Sequence, residues 1–346
     1  MRVLQVASSL FDWGGIERYV LYLKAGLEAR GHGVDVTLPQ GSPLDQRISS
    51  SKVHLTLQGK FNPKHALPYL RLFRRQRYDV VHVHFSPDFF WPAYAARLTK
   101  QPLTVLTRHV VLPWSAPKVR QYLRLFDHII PVSNAVQGEL LNSGIPANRM
   151  TVAKAGCPAL EPAAPLMLGT AGRFKVGSFG RLVPEKGVDL LFEAAKLPAA
   201  RNVEFHVFGS GPLEAEHRRL GEETGVQVHG FRTDVAESMS AMDAIIIPSR
   251  WEEAFPYAAL EAMSLGKPLV VSRVGGLLEI VSEGETGLAF DKGNAYELAQ
   301  AVGRLAAAPS EALTMGARGK NLHTQEYTVA KMAERIEAVY TQARRM

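Results

Sequence analysis

The feature that most constrains this chain is a repeating alternation. Short apolar runs of strand length alternate with segments of helical period, and they do so in two successive series. In the first half the runs fall at residues 3–8, 34–38, 53–57, 80–85, 103–107 and 129–132. Between the first two, Ile16, Val20, Leu23 and Leu27 recur at i, i+4, i+7 and i+11, which predicts an amphipathic helix that Gly31 stops. Residues 67–77 read as a second, basic helix. The second half repeats the scheme, with strands at 176–179, 203–208, 226–229, 244–248, 269–272 and 288–290. Helices follow at 188–196, 212–220, 235–242 and 258–265. Strands separated by helices build parallel sheets, so two such series predict an α/β chain of two Rossmann-like, doubly wound domains facing a cleft. Ligands in such sheets bind beyond the carboxyl ends of the strands.

The boundary is expected near residue 165. Pro158, Pro162 and Pro165, with Ala163 and Ala164 between them, make 158–165 the best linker. The division is then 1–165, 166–328 and an amphipathic tail, 329–346, expected to pack back on the first domain. At roughly 150 residues per domain, a length of 346 agrees. No apolar stretch approaches the ~18 residues of a spanning helix. Residues 3–10 are interrupted by Gln5, Ser8 and Ser9, so they read as a buried strand and not as a secretion signal. The single cysteine, Cys157, excludes an intrachain disulfide framework and a cysteine-rich zinc site. Together these point to the cytoplasm.

Charge is divided unevenly. Residues 1–170 hold 20 Lys and Arg against 10 Asp and Glu, and residues 171–346 hold 20 against 23. A basic first half favours an anionic partner there, a phosphate, a lipid headgroup or a nucleic acid, and it equally suits a merely solvated basic surface. Arg71, Arg74 and Arg75 share one helix face, and Trp114, Lys118, Arg120, Tyr122, Arg124 and Phe126 follow. This pattern suits a peripheral position on an anionic membrane surface, and it equally suits an ordinary surface helix over buried aromatics. No nucleic-acid motif accompanies the charge, so nucleic acid is not an expected partner.

Two segments carry the strongest chemical signal. Pro248-Ser249-Arg250-Trp251-Glu252-Glu253-Ala254-Phe255-Pro256 runs from a buried strand into a helix that contains Glu261. A helix N-terminus favours a diphosphate, while the two carboxylates can accept hydrogen bonds from sugar and ribose hydroxyls. Gly180-Arg181-Leu182-Val183-Pro184-Glu185-Lys186-Gly187 also follows a strand. There Arg181 can grip phosphate bidentately and Lys186 can add a point charge, and together they can neutralise a departing diphosphate. Taken singly, each segment reads as easily as a capped turn; their complementary preferences in one domain favour a site. Trp13-Gly14-Gly15-Ile16-Glu17 follows the first strand, where glycine allows close approach of the backbone. Neither it nor Gly209-Ser210-Gly211 fits a dinucleotide fingerprint.

His109 follows the fifth strand and reads either as a hydrogen-bond donor or proton relay to substrate, or as a structural histidine. His82 and His84 share a strand face and are expected to line the acceptor side. With Asp88 they give too few ligands for a metal. The chain has no Asp-x-Asp pair to hold a metal on a diphosphate. Arg181, Lys186 and a helix N-terminus can take that place, so neither a metal nor another cofactor is expected.

The stretch from Glu253 to Glu261 resembles the E-x7-E motif of retaining GT-B glycosyltransferases of family 4. Gly180-Arg181 to Lys186-Gly187 is similar to that family's G-R-x-x-x-x-K-G segment. Gly14-Gly15-Ile16-Glu17 resembles its N-terminal glycine loop, and Gly275-Gly276 with Glu285-Thr286-Gly287-Leu288 resembles its trailing region. The resemblance implies that Arg181 and Lys186 hold the donor diphosphate, that Glu261 takes the ribose and that Glu253 takes the donor sugar. It implies further that amides near Ala254 and Phe255 meet phosphate or sugar, that Gly14 and Gly15 line the donor, and that Gly230 and Phe231 lie near the base. His109 would stand at the reacting centre. It also implies metal-independent transfer with retention from a nucleoside diphosphate sugar, most often a UDP-sugar, to a glycan or lipid-linked acceptor in envelope polysaccharide or lipopolysaccharide synthesis. One departure stands out. Pro256 occupies a position that is often Gly in the family, and it removes a backbone donor. The competing readings are a GT-B nucleotide-sugar epimerase, which needs no acceptor, and a nonenzymatic anionic-surface binder.

Overall fold

Several strands of the first sheet are buried along their length because helices cover both faces, which leaves no polar side for alternation. In the computed structural model, which describes residues 1–57, 62–101, 103–162, 164 and 166–344, the first series is β1 (Arg2–Val6), α1 (Gly15–Ala29), β2 (Gly33–Leu38), α2 (Pro43–Arg47), β3 (Lys52–His54), α3 (Ala66–Arg75), β4 (Val80–Val83), α4 (Trp91–Leu98), β5 (Thr104–Arg108), α5 (Ala116–Leu125), β6 (His128–Pro131) and α6 (Asn134–Asn142). All pairings are parallel, in the order β3-β2-β1-β4-β5-β6. Every residue of β4, β5 and β6 is buried.

The second series is β7 (Phe174–Phe179), α7 (Asp189–Ala195), β8 (Val203–Phe208), α8 (Glu214–Thr224), β9 (Gln227–Gly230), α9 (Val235–Ser240), β10 (Ala244–Ile247), α10 (Tyr257–Ser264), β11 (Leu269–Ser272), α11 (Leu277–Ile280), β12 (Gly287–Phe290), α12 (Ala295–Ala307) and α13 (Pro309–Glu326). Its order, β12-β11-β10-β7-β8-β9, is the same winding as the first sheet. In both sheets the first strand of the series pairs with the second on one side and the fourth on the other. The strand order reverses there, so β1/β4 and β7/β10 are the switch points at which a doubly wound sheet opens a crevice. Phe205, Val207, Ile246 and Val270 pack under α7 and α12 in the core of the second unit. Val36 and Leu38 pack with Val20 of α1 in the first.

The chain divides into two compact units, Met1–Gly156 with Val329–Met346, and Cys157–Thr328. The change of unit therefore falls at 156/157 and not at 165/166 as the prolines suggested. Cys157 is already bound into the second unit, its N–H donating to the Tyr327 carbonyl at 2.9 Å, while Ala163 and Pro165 lie outside the described residues. The last helix, α14 (Val329–Ala343), belongs to the first unit. It buries Met332, Ala333, Ile336 and Tyr340, and its Glu337 accepts from Arg30 Nε at 2.5 Å and meets His32 at 3.0 Å. Helices α2, α4, α6, α11, α12 and α13 have no counterpart in the sequence reading, and β3 is shorter than the run 53–57 suggested.

Candidate active site

In the second unit the two signal segments leave the sheet at its switch point. The segment 180–187 follows β7 and the segment 248–256 follows β10, two strands that pair directly. The backbone then clasps them together. The N–H groups of Arg250 and Trp251 both donate to the Glu185 carbonyl, at 2.9 and 3.2 Å. Arg250 makes a bidentate pair with Asp189 at the start of α7, at 2.5 and 2.6 Å. Gly187 has φ +62°, and a Cβ there would stand 2.2 Å from the Pro248 carbonyl oxygen, so only glycine lets the turn lie this close.

Inside this clasp Lys186 and Glu253 meet. Glu253 is buried, and one of its carboxylate oxygens accepts from Lys186 Nζ at 2.6 Å and from Ser249 Oγ at 2.5 Å. A bound diphosphate would compete with Glu253 for the ammonium, leaving the carboxylate to a hydroxyl. Arg181 is exposed, and its guanidinium has no partner among the described residues. The segment 252–254 is braced from behind. Gly276 N–H donates to the Glu253 carbonyl at 2.6 Å and Gly275 N–H to the Glu252 carboxylate at 2.8 Å. A Cβ on Gly276 would fall 2.0 Å from the Ala254 carbonyl oxygen. Ala254 and Phe255 are buried, and the Phe255 ring lies 5.6 Å from that of Tyr327.

Helix α10 then begins behind Pro256, whose missing N–H falls where no intrahelical bond is made. Glu261, in the middle of this helix, is buried and not on the surface. Gly230 ends β9 with φ +76°, and Phe231 beside it is 71% exposed.

In the first unit the switch point is lined by rings. Tyr19 of α1 lies 4.6 Å from the His109 ring and 5.5 Å from that of His84, and His84 lies 4.1 Å from His82. His82 is fully buried. One ring nitrogen meets Thr107 Oγ1 and the other Tyr340 Oη, each at 2.6 Å. The acceptor-side reading of His82 is thereby corrected: facing one way along a parallel strand did not mean facing solvent, because α14 closes that face. His84 is buried as well, and neither of its ring nitrogens has a hydrogen-bond partner among the described residues.

Burial pushes His82 and His109 down to about 3 and His84 well below its ordinary value. His109 is therefore a neutral imidazole at neutral pH. It can exchange a hydrogen bond with a hydroxyl but holds no proton to give as an acid. Asp88 is bound to Ser9, accepting from its hydroxyl at 2.7 Å and its N–H at 3.2 Å, so it pins the turn after β1. Among the described residues no group of three or more His, Cys, Asp or Glu could hold a metal. The N–H of Gly14 is already given to the Glu17 carboxylate at 2.9 Å, while Gly15 is exposed at the start of α1.

The basic surface keeps its cations and loses its aromatics. Arg71, Arg74, Arg75, Lys118, Arg120 and Arg124 are exposed, but Trp114 and Phe126 are buried in a ring cluster with Phe89 and Tyr122. Ser249, Asp189 and Arg250 were missed as parts of the site. The one local signal for them was a serine four residues before Glu253. The support of the histidines by Tyr19, Thr107 and Tyr340 had no local signal at all.

Two family models match. "Glycosyltransferase Family 4" covers residues 13–157 and "Glycosyl transferases group 1" covers residues 173–308. The chain is 28% identical to the D-inositol 3-phosphate glycosyltransferase of Arthrobacter sp. (strain FB24) over 91% of this chain and 87% of that one. It is 29% identical to the putative colanic acid biosynthesis glycosyltransferase WcaL of Escherichia coli K12, over 57% of this chain and 51% of the relative. In fold it resembles HepE of Anabaena, solved in complex with UDP, with a TM-score of 0.85 at 23% identity, covering 99% of this chain and 100% of that one. With both halves matched and both sheets wound as in GT-B structures, the chain belongs to the GT4-like glycosyltransferases of GT-B fold.

Proposed function

We propose that this glycosyltransferase moves a hexose-type sugar from a nucleoside diphosphate sugar, a UDP-sugar first among them, to a hydroxyl of a glycan or lipid-linked acceptor, with retention and without a metal. The Lys186–Glu253 pair beside the unpartnered Arg181 carries this reading. Arg181 and the released Lys186 hold the diphosphate and take up charge as it departs. Glu253 then accepts from a sugar hydroxyl and Glu261 from the ribose. His109, neutral, hydrogen-bonds the sugar at the reacting carbon. The acceptor proton passes to the leaving phosphate, which needs no protein base. HepE was solved with UDP and with UDP-glucose, which supports a UDP-sugar donor, and the name of WcaL, a putative colanic acid biosynthesis glycosyltransferase, supports an envelope polysaccharide or lipopolysaccharide product.

The test is a panel of UDP-, GDP- and ADP-sugars with chelator present and a mixed glycan acceptor, the product anomer being read by NMR. Retained configuration with one UDP-sugar is the expected result. An inverted anomer overturns retention, and turnover only with added Mg²⁺ overturns the metal-free holding of the donor.

A cytoplasmic enzyme acting on a lipid-linked acceptor works at the inner face of the membrane. The exposed Arg71, Arg74 and Arg75 on α3 suit docking there through charge alone, now that the aromatics are excluded. No helix among the described residues is long and apolar enough to cross a membrane. Vesicles rich in anionic lipid should bind the protein at low salt and release it at high salt. Failure to bind at low salt removes the membrane from the proposal.

A further inference from the structure

Arg108 is the last residue of β5, one position before His109, and it is 5% exposed. Its Nη2 donates to the Leu112 carbonyl at 3.0 Å and its guanidinium lies 5.1 Å from the centre of the Trp114 ring. Its Nε has no hydrogen-bond partner among the described residues. Among the described residues no carboxylate pairs with it. Tyr122 and Glu139 act on it only from further off, and burial draws it down to about 10, which still leaves it a cation. The surrounding chain offers no relief. Residues 89–126 contain no Asp or Glu and six Lys and Arg. Across the sheet, Arg108 pairs with Pro131 of β6, and α6 begins just beyond at Asn134, so the positive end of that nine-residue helix lies at the same end of the sheet.

A buried guanidinium without a counter-ion is strongly unfavourable, and a carbonyl and a ring do not repay it. Holding the loop at Leu112 would need only a neutral donor. What a guanidinium adds is a charged fork that fits an oxyanion.

We propose that Arg108 is the contact for an oxyanion carried by the acceptor, a phosphate or a carboxylate on the molecule whose hydroxyl is glycosylated. This rests on the transferase reading above, with the donor on the second unit and the acceptor on the first.

The test saturates the protein with UDP, which engages Arg181 and Lys186, and then titrates inorganic phosphate or acetate by calorimetry. Phosphate should bind the UDP-saturated protein, and Arg108→Gln should bind it roughly tenfold or more weakly, with Arg108→Lys between the two. UDP affinity should be the same in all three. The same pattern with acetate in place of phosphate assigns a carboxylate-bearing acceptor. Equal phosphate and acetate binding by Arg108→Gln overturns the proposal, as does no binding of either anion to the unmutated protein.

If Arg108→Gln does not fold, the Arg108 Nε–H resonance of the unmutated protein decides, assigned by its loss in Arg108→Lys. A shift on adding either anion supports the site, and no shift with either overturns it. Failure to bind UDP would strike the donor reading instead. The Arg108 comparison is then made with both anions in an Arg181→Ala background.

Discussion

The two units share one winding and carry opposite chemistry at the same topological place. At β7/β10 the switch point is charged and rigidly braced. Lys186 and Glu253 are paired in a clasp of backbone hydrogen bonds, and Arg181 is left to solvent. At β1/β4 the histidines are neutral and ring-lined, with the buried cation Arg108 one position before His109. Tyr19, His82, His84 and His109 stand close together, and burial removes every histidine charge at neutral pH. The difference teaches where each partner's charge must be met. A diphosphate needs fixed cations, and a braced loop spares the cost of organising them on binding. A sugar hydroxyl needs hydrogen-bonding groups that are not themselves strongly hydrated, which neutral imidazole supplies.

The comparison can be broken most directly in the second unit. Glu253→Ala removes the partner of both Lys186 and Ser249, and kcat should fall by about 10²–10³ at matched protein stability, measured under saturating donor. Retained activity would mean that Glu253 only caps the loop. Arg181→Ala should weaken UDP by roughly tenfold to a hundredfold while leaving uridine binding unchanged; equal losses for both ligands would sink the phosphate assignment.

Acid sharpens the contrast in the first unit. His82, His84 and His109 titrate far lower folded than unfolded, so below about pH 6.5 the unfolded chain binds more protons. Their contribution is complete above that pH and is lost as pH falls, toward about 3 for His82 and His109. Each should cost on the order of 1–2 kcal/mol by pH 5. Asp88, raised to about 7 by burial, works the other way and offsets part of this. Urea midpoints between pH 7 and 5 should therefore fall, and His84→Phe should flatten the fall; an identical slope in that variant would contradict the neutral cluster. The smallest effect is expected from Tyr340→Phe, about 1 kcal/mol for the lost bond to His82, with UDP affinity untouched because it belongs to the other unit.

What could be read from the residues follows the same division. The second-unit site was legible because its parts are local. Strand ends, a Lys six residues past a Gly, and two carboxylates eight apart all lie in short segments, and the topology joins them by pairing β7 with β10. The first-unit site was legible only at His109. Its other members come from α1, β4 and α14, and Tyr340 reaches His82 across 258 positions of sequence, which no local pattern reports. His82 was misplaced for that reason, while for Trp114 and Phe126 the structure takes the second of the two readings, aromatics buried under a surface helix: amphipathic spacing shows that a face exists, not which partner covers it. The proline-rich stretch was read as the linker, whereas the chain changes unit at 156/157. At that point the Cys157 N–H donates to the Tyr327 carbonyl, a contact between distant residues that no local pattern reports.

On the proposed reading, Arg181 and Lys186 of the second unit hold the nucleoside diphosphate without a metal. Calorimetric titration of UDP, GDP and ADP, with chelator and then with Mg²⁺, tests it most directly. The account predicts selective binding of one nucleotide, UDP first, with the same affinity in either buffer. Binding that appears only with Mg²⁺, or no binding of any of the three, would contradict it.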